Sequence, residues 1–221
     1  AEQKIRQAME HDLSLSIIDL IPSYASLLVV FNILTTDHHY LRNQLRFLLQ
    51  CLNESDKNSP DSEQPNRPSI VELPVYYSNE SGPELAVIAK NNQLTIDQVI
   101  DIHQSKEYRV YAIGFAPGFA YLGEVDDRIA MPRLTTPRMK VPKGGVAIAD
   151  KQTAVYPESS PGGWNIIGLC PIAMFDVNAT PTMPVKVGDV VKFTPITRET
   201  FISLGGEIPD QFESSNARGV K

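Results

Sequence analysis

The chain has 221 residues and a formal net charge of −6 at pH 7, from 20 basic and 26 acidic side chains. This acidic balance argues against a nucleic-acid-binding protein, which would normally present a basic face. The length and the 42% content of apolar residues suffice for one large domain or two small ones with a sizeable core. The composition therefore predicts an ordinary globular protein and leaves phosphate-bearing small molecules open as ligands.

The cysteines and the apolar runs bear on the cellular compartment of the protein. Cys51 and Cys170 are far apart and lack CxxC spacing, so neither a disulfide framework nor a zinc site is predicted. We interpret both as reduced thiols in a cytoplasmic protein. The longest apolar run, Ser26 to Ile33, is too short to span a bilayer, and the N-terminus lacks a signal-peptide pattern. The sequence thus predicts neither a membrane nor an export role.

Residues 1–55 are predicted to form a small N-terminal α+β domain. A helical pattern around Ile5 to Met9 precedes two β-rich runs, Ile17 to Ile21 and Ser26 to Asn32, which a short turn would join into a hairpin. Leucines at helical spacing then predict a second helix between about Asp37 and Leu52. Because the chain opens inside a helical pattern, we expect a further strand upstream of it.

Residues 56–69 are predicted to be a linker, because this polar stretch has no large apolar side chain to bury. Residues 70–200 are predicted to form a β-barrel or sandwich that includes two short helices, the second opened by a capping box at Thr95 and Gln98. The predicted strands are 71–77, 108–113, 146–149, 153–156, 165–169 and 190–194. Residues 201–221 are predicted to be a tail with at most a short helix followed by disorder.

Loops rich in Gly and Pro between His103 and Pro171 hold the residues best suited to bind a ligand. Such loops are stiff at the prolines and open at the glycines, so backbone N–H groups can approach an anion closely. Between Asp126 and Lys151, six basic residues stand against three acidic ones. This local surplus in an acidic chain favours a phosphate or carboxylate ligand.

The same stretch resembles the signature of the allophanate hydrolase subunit 1 family. The matching motifs are Tyr108 through Gly118 to Leu122, the pairs Pro132-Arg133 and Pro137-Arg138, and the run from Gln152-Thr153 through Tyr156-Pro157 to Ser160-Pro161-Gly162-Gly163-Trp164. This family includes the 5-oxoprolinase B-subunit and a sporulation-kinase inhibitor, and urea carboxylase carries the same carboxyltransferase-like domain. The resemblance covers nearly the whole chain and implies an α+β protein, with a small N-terminal domain followed by a cyclophilin-like β-barrel.

The resemblance also implies a subunit of a bacterial ATP-dependent 5-oxoprolinase that is inactive without its partners. The partners would be a larger homologous carboxyltransferase-like subunit and a third subunit, and the complex would open 5-oxo-L-proline to L-glutamate. ATP with magnesium would be a co-substrate, and no tightly bound metal is expected. Phosphorylation of the lactam oxygen would create a leaving group that water can displace, and cationic side chains would stabilise the transferring phosphoryl group.

The candidates for this chemistry are arginines and glycine-loop amides. Arg133 and Arg138 would contact the phosphoryl group, although arginines on loops are often only solvated or paired. The amides of Gly162 and Gly163 would assist them, and Lys143 would add a point charge. The other candidates, named next, would bind the substrate or ATP.

Each remaining candidate has two interpretations. Arg109 either binds the substrate carboxylate or lies on the surface of its predicted strand. His103 is either a catalytic base or a hydrogen-bonded interface histidine. Gln152 and Tyr156 either contact the ligand or are polar barrel residues, and Trp164 either belongs to a ligand-binding loop or plugs the barrel beside a tight turn.

Other functions remain open from the sequence. The sporulation-kinase inhibitor in the family suggests a regulatory protein that binds a sensor histidine kinase. An allophanate- or urea-type amide could replace 5-oxoproline as the substrate, because similar chemistry would open it. A cyclophilin-like barrel also suggests recognition of proline-containing peptides or prolyl isomerisation, but a fold alone does not determine function.

Overall fold

A computed structural model describes residues 16–55, 69–210 and 212. The chain divides into two compact units, Ala1–Arg67 and Pro68–Lys221. The helix predicted near residues 5–9, most of the predicted linker at 56–69 and the end of the predicted tail lie outside the described residues. The linker therefore stays a prediction. Within the described ranges, no helix is both long enough and apolar enough to cross a membrane.

The first unit begins with the predicted hairpin. Strands β1 (Ile17–Ser23) and β2 (Ser26–Phe31) pair antiparallel. Tyr24 takes a φ of 36° in the tight turn between them, a left-handed conformation that lets the chain reverse within two residues. The sequence placed the turn at 22–25, so the structure confirms the hairpin and shortens its turn.

Helix α1 (His38–Ser55) covers one face of this hairpin. Asp37 begins it, accepting hydrogen bonds at Oδ1 from the backbone N–H groups of His39 and Tyr40 at 2.8 and 2.9 Å, as an N-cap does. Leu41 packs in one cluster with Ile17 and Leu20 of β1. The predicted second helix is confirmed, three residues longer at its C-terminal end than its leucine stripe indicated.

The second unit opens with β3 (Ile70–Val75), α2 (Leu85–Asn91) and α3 (Ile96–Ser105). The predicted capping box is present: Thr95 Oγ1 accepts from the Gln98 N–H at 3.2 Å, and Gln98 Oε1 accepts from the Thr95 N–H at 2.8 Å. This reciprocal pair satisfies two donors that the helix itself leaves unpaired. The two short helices predicted after the first strand are therefore confirmed.

Eight strands and one short helix follow. They are β4 (Glu107–Ile113), β5 (Ala120–Gly123), β6 (Arg138–Val141), β7 (Gly145–Ala149), β8 (Gln152–Val155), β9 (Ser160–Gly162), β10 (Asn165–Leu169), β11 (Val190–Pro195) and α4 (Arg198–Ser203). Helix α4 contains Phe201, so the short helix predicted after that residue begins earlier than expected.

Seven strands form one sheet in the order β10-β7-β8-β5-β4-β11-β3. Strands β3 and β11 are parallel, and the other neighbours are antiparallel. Tyr76, directly after β3, forms a bridge with Leu169 of β10 through two backbone hydrogen bonds of 2.8 and 3.0 Å. The bridge joins the two edges of the sheet, so the α+β fold with a barrel-like domain is confirmed.

Three strands were not predicted. Strands β5, β6 and β9 have only four, four and three residues, too few to show an alternating pattern amid Gly and Pro. Strands β6 and β9 pair with each other as a separate two-stranded sheet, which we call the β6–β9 ribbon. The ribbon carries Arg138 and Gly162, two of the predicted site residues.

Strands β7, β8 and β10 bury side chains on both faces. One set, including Val146, Ile148, Val155 and Ile167, belongs to the main core with α2 and α3. The alternate residues belong to a second cluster, which we call the aromatic cluster: Ala147, Ala149, Ala154 and Ile166 with Phe119, Val141, Tyr156 and Trp164. Because successive strand residues point to opposite faces, the aromatic cluster packs on the other side of these strands, where small alanines leave room for rings.

Candidate functional site

Arg138 is a buried cation at the start of β6, only 7% exposed. Its Nη2 donates to Glu84 Oε1 in a buried ion pair. Its Nε and Nη1 are buried without a hydrogen-bond partner among the described residues. Since buried donors in proteins are nearly always hydrogen-bonded, these N–H groups fit a role in binding an anionic oxygen of a ligand.

Glu84 was not predicted as a site residue. It stands at the N-cap of α2, and its carboxylate Oε2 accepts the Ile166 N–H of β10 at 2.8 Å. Burial raises the pKa of Glu84, and the neighbouring Arg138 acts in the opposite direction. Glu84 makes no capping hydrogen bond with its side chain, and no local motif marked it as a site residue. Nothing in the sequence indicated its pairing with Arg138, 54 residues later.

Tyr156 and Gly162 lie beside Arg138. Gly162 of β9 is the Cα partner of Arg138 across the ribbon, and a Cβ atom at Gly162 would be 2.4 Å from Tyr156 Oη. The backbone of Trp164 hydrogen-bonds to the buried phenol, and burial raises the pKa of Tyr156 to about 12, partly offset by Arg133 and Arg138. At neutral pH the phenol is therefore uncharged.

Arg133 is exposed and lies over the ring of the buried Trp164, with its Cζ atom 5.7 Å from the ring centroid, within cation–π range. The loop that carries it is held at both sides. Asn165 Nδ2 donates to the Pro132 carbonyl at 2.9 Å, and the Leu134 N–H donates to the Gly163 carbonyl at 2.7 Å. The predicted Gly162-Gly163-Trp164 run thus positions the arginine loop.

The structure therefore brings several predicted residues together. We call them the arginine–tyrosine cluster: Arg133, Arg138, Tyr156, Gly162 and Trp164. The cluster combines two cations, a neutral hydroxyl and an aromatic face. Such a set can bind an anionic group, with the guanidinium of Arg138 as its buried cation.

His103 lies elsewhere, in the main core. It is fully buried, its Nδ1 is 2.8 Å from the Tyr77 hydroxyl and its Nε2 is 3.0 Å from Thr153 Oγ1. Its ring stacks on Phe193 with centroids 4.7 Å apart, and burial lowers the pKa of His103 to about 3. Thr153 and Tyr156 face opposite sides of β8, so His103 and the arginine–tyrosine cluster are on different faces of the sheet.

Three other candidates lie outside the cluster. Lys143 is exposed and forms a 2.5 Å ion pair with the exposed Glu158. Arg109 is exposed on β4 and Gln152 is half-buried on β8, and both are cross-strand partners of Gly123. Directly opposed residues share a sheet face, so Arg109 and Gln152 form a row on one face, across a glycine. Gln152 shares that face with Tyr156.

No metal-binding group accompanies these residues. Within residues 16–55, 69–210 and 212, no three or more His, Cys, Asp or Glu side chains lie close enough together to hold a metal ion.

The close approach of Gly162 to Tyr156 makes a testable prediction. Gly162→Ala should destabilise the second unit by about 1–3 kcal/mol, because the buried ring of Tyr156 has to move away from the new methyl group. Tyr156→Phe in the same chain should recover part of that loss by removing the hydroxyl. Gly114→Ala is the matched control, since a Cβ there meets nothing within 4 Å. Urea unfolding followed by Trp164 fluorescence measures all three, and equal stability of both alanine variants would contradict the prediction.

Comparison with known proteins identifies the family. Residues 2–185 match the family "Carboxyltransferase domain, subdomain C and D". The chain is 41% identical over 187 residues to the 5-oxoprolinase B-subunit of Bacillus subtilis (strain 168), covering 83% of this chain and 78% of that protein. It is 35% identical over 180 residues to the 5-oxoprolinase B-subunit of Escherichia coli O157:H7, covering 81% of this chain and 78% of that protein.

Solved structures share the fold. The conserved uncharacterized protein PH0987 from Pyrococcus horikoshii is 41% identical, with a TM-score of 0.58 over 90% of this chain and 88% of that one. TTHA0988 is 32% identical, with a TM-score of 0.68 over 88% of this chain, which spans only 36% of that protein. The urea amidolyase of K. lactis, 19% identical with a TM-score of 0.64 over 91% of this chain and 14% of that one, shares the fold alone.

Each of the two sequence alignments covers most of this chain and most of the relative, and the family match extends across both units. The resemblance found in the Gly- and Pro-rich motifs is therefore confirmed over the greater part of the chain. The chain belongs to the carboxyltransferase subdomain C and D family, among the members related to the 5-oxoprolinase B-subunit.

Proposed function

We propose that the chain is the B-subunit of an ATP-dependent 5-oxoprolinase, which opens 5-oxo-L-proline to L-glutamate. The observation that carries the proposal is the similarity to the Bacillus subtilis protein of that name. The two chains are 41% identical over an alignment that covers 78% of the Bacillus subtilis protein. The buried cation of the arginine–tyrosine cluster supports it, because both substrates are anions. This function would place the chain in the cytoplasm.

The complete enzyme in this proposal contains partner subunits. They are a larger homologous carboxyltransferase-like subunit and a third subunit, and the chain is inactive without them. Relatives named as a B-subunit support membership in such an assembly. ATP with magnesium is the co-substrate, and it would supply the phosphoryl group that activates the lactam oxygen.

Within this subunit, the arginine–tyrosine cluster would bind and orient the anionic groups. Arg138 would donate from Nε and Nη1, and the exposed Arg133 would approach from solvent over Trp164. Tyr156 would provide a neutral hydroxyl beside them. Preorganised donors of this kind stabilise developing charge without reorganising during the reaction.

The remaining candidates take other parts in the proposal. Both ring nitrogens of His103 are engaged inside the main core, so we propose that His103 supports the barrel instead of acting as a base. Arg109 and Gln152, across Gly123 from each other, are the candidates for the substrate carboxylate. Lys143, paired with Glu158, would add only a long-range charge.

The test is ATP-dependent release of glutamate from 5-oxo-L-proline. It is measured with the full-length chain alone, with its two partner subunits, and with the partners lacking it. We expect activity only in the complete mixture. If all chains fold and associate but no mixture releases glutamate, the proposal is overturned. A related amide would then be the next substrate to assay, and binding to a sensor histidine kinase the next function.

A further inference from the structure

We propose that Glu84 is a positioning residue for Arg138: it holds one terminal nitrogen of the guanidinium and so directs Nε and Nη1 toward the anionic oxygen of a substrate. This inference rests on the proposed function and adds a residue to its site. The anionic oxygen is a carboxylate oxygen of the lactam or a phosphoryl oxygen of the nucleotide, two sources that share the same chemistry.

The first support is the rigid attachment of Glu84 to the barrel. Its backbone N–H donates to the Ile166 carbonyl at 3.1 Å, and its carboxylate Oε2 accepts the Ile166 N–H at 2.8 Å. Two residues earlier, a Cβ atom at Gly82 would be 2.3 Å from the Ile167 carbonyl oxygen, so the segment lies directly against the backbone of β10. The carboxylate therefore has a fixed position relative to the sheet.

The second support is the division of the hydrogen bonds. One carboxylate oxygen of Glu84 is used by Ile166 and the other by Nη2 of Arg138. The pair is therefore not the side-by-side double hydrogen bond that carboxylates and guanidinium groups often form. Nε and Nη1 of Arg138 stay without a partner among the described residues although they are buried. An ion pair serving the fold alone would be expected to satisfy these donors.

The third support is the location of Arg138. It comes from the β6–β9 ribbon, whereas Glu84 belongs to the segment fixed on β10. Their ion pair therefore joins the ribbon to the barrel beside Gly162 and Tyr156. Loss of the carboxylate charge would let the guanidinium turn, and a misplacement of about 1 Å in a catalytic site can reduce the rate about a hundredfold.

The test uses the assembled complex with Glu84→Gln or Arg138→Lys. Glutamine keeps an acceptor for the Ile166 N–H but loses the charge, and lysine keeps the charge but lacks the Nε and Nη1 donors. We expect kcat/KM to fall about a hundredfold in each. A rise in KM for 5-oxo-L-proline alone would assign the carboxylate, and a rise in KM for ATP alone would assign the phosphoryl group. Glu80→Gln is the matched control, because it makes the same change in an exposed ion pair with Arg198.

A structural role would give a different result. If Glu84→Gln lowers the melting temperature but keeps kcat, both KM values and the pH profile below the melting temperature, the inference is wrong. In the positioning role, the acid limb of the pH profile of kcat/KM should move in Glu84→Gln, because the titrating carboxyl group beside Arg138 is gone.

A second measurement separates this inference from the proposed function. Inorganic phosphate is titrated into the full-length chain, with the fluorescence of its single tryptophan, Trp164, as the signal. We expect saturable binding in the wild type and in Glu80→Gln, and at least about tenfold weaker binding in Glu84→Gln and Arg138→Lys. If the wild-type complex proves inactive on 5-oxo-L-proline, this titration still tests whether Glu84 positions Arg138 for binding an anion. Equal phosphate affinity in all four proteins, or none in the wild type, would overturn the inference.

Discussion

Arg138→Met is expected to destabilise the second unit by about 3–5 kcal/mol, because it leaves the buried carboxylate of Glu84 without its cation. Protonation of Glu84, whose pKa burial already raises, limits the loss at acid pH. The free energy of unfolding from urea titrations at pH 7.5, with Trp164 fluorescence as the signal, measures the effect. Arg128→Met is the matched control, because Arg128 is 64% exposed and pairs with Asp126 at the surface, where an ion pair contributes about 0–1 kcal/mol.

The double variant Glu84→Gln/Arg138→Met separates stability from chemistry. It replaces both charges, so it should be more stable than Arg138→Met alone by at least about 1 kcal/mol. Its assembled complex should nevertheless stay inactive, since the guanidinium is missing. A double variant no more stable than Arg138→Met would contradict the buried pairing. Recovered activity in that variant would remove Arg138 from the mechanism.

The sequence predicted those elements whose determinants are local. The hairpin of β1 and β2, the leucine stripe of α1 and the capping box at Thr95 each lie within a few residues, and each was predicted correctly. Strands β6 and β9 were not predicted, because three or four residues are too few to show an alternation of apolar and polar side chains. Strand β9 also contains Pro161. Proline removes a ladder donor and normally argues against a strand, except at an edge.

Long-range partners were the part of the site that could not be predicted. The structure places Arg133, Arg138, Tyr156 and Trp164, which the sequence proposed as site residues, close to one another. Their role in binding a ligand stays a prediction. The sequence could not show that Arg138 is buried, because that depends on Glu84, 54 residues away. It also could not show which face of β8 meets His103, because the register between β8 and its neighbours is set by the closed sheet.

His103 makes the second large prediction, on stability against pH. Burial lowers the pKa of its imidazole in the folded chain from 6.5 to about 3. Below pH 6.5 the unfolded chain binds a proton that the folded chain excludes, so acid favours unfolding. The contribution of the neutral ring is fully present above pH 6.5 and is lost as the pH falls toward 3, by about 1.4 kcal/mol per pH unit.

Between pH 6.5 and pH 5 the wild-type second unit should therefore lose about 2 kcal/mol of unfolding free energy. His103→Gln removes the titrating ring while keeping a donor and an acceptor toward Tyr77 and Thr153, so its stability should change far less over this range. His39→Gln provides the control, because it makes the same change in the first unit whereas Trp164 lies in the second. Urea unfolding at closely spaced pH values, followed by Trp164 fluorescence, gives all three slopes. Parallel slopes for the wild type and His103→Gln would mean that His103 takes up a proton in the folded protein as readily as in the unfolded chain, which would return it to the candidates for a catalytic base.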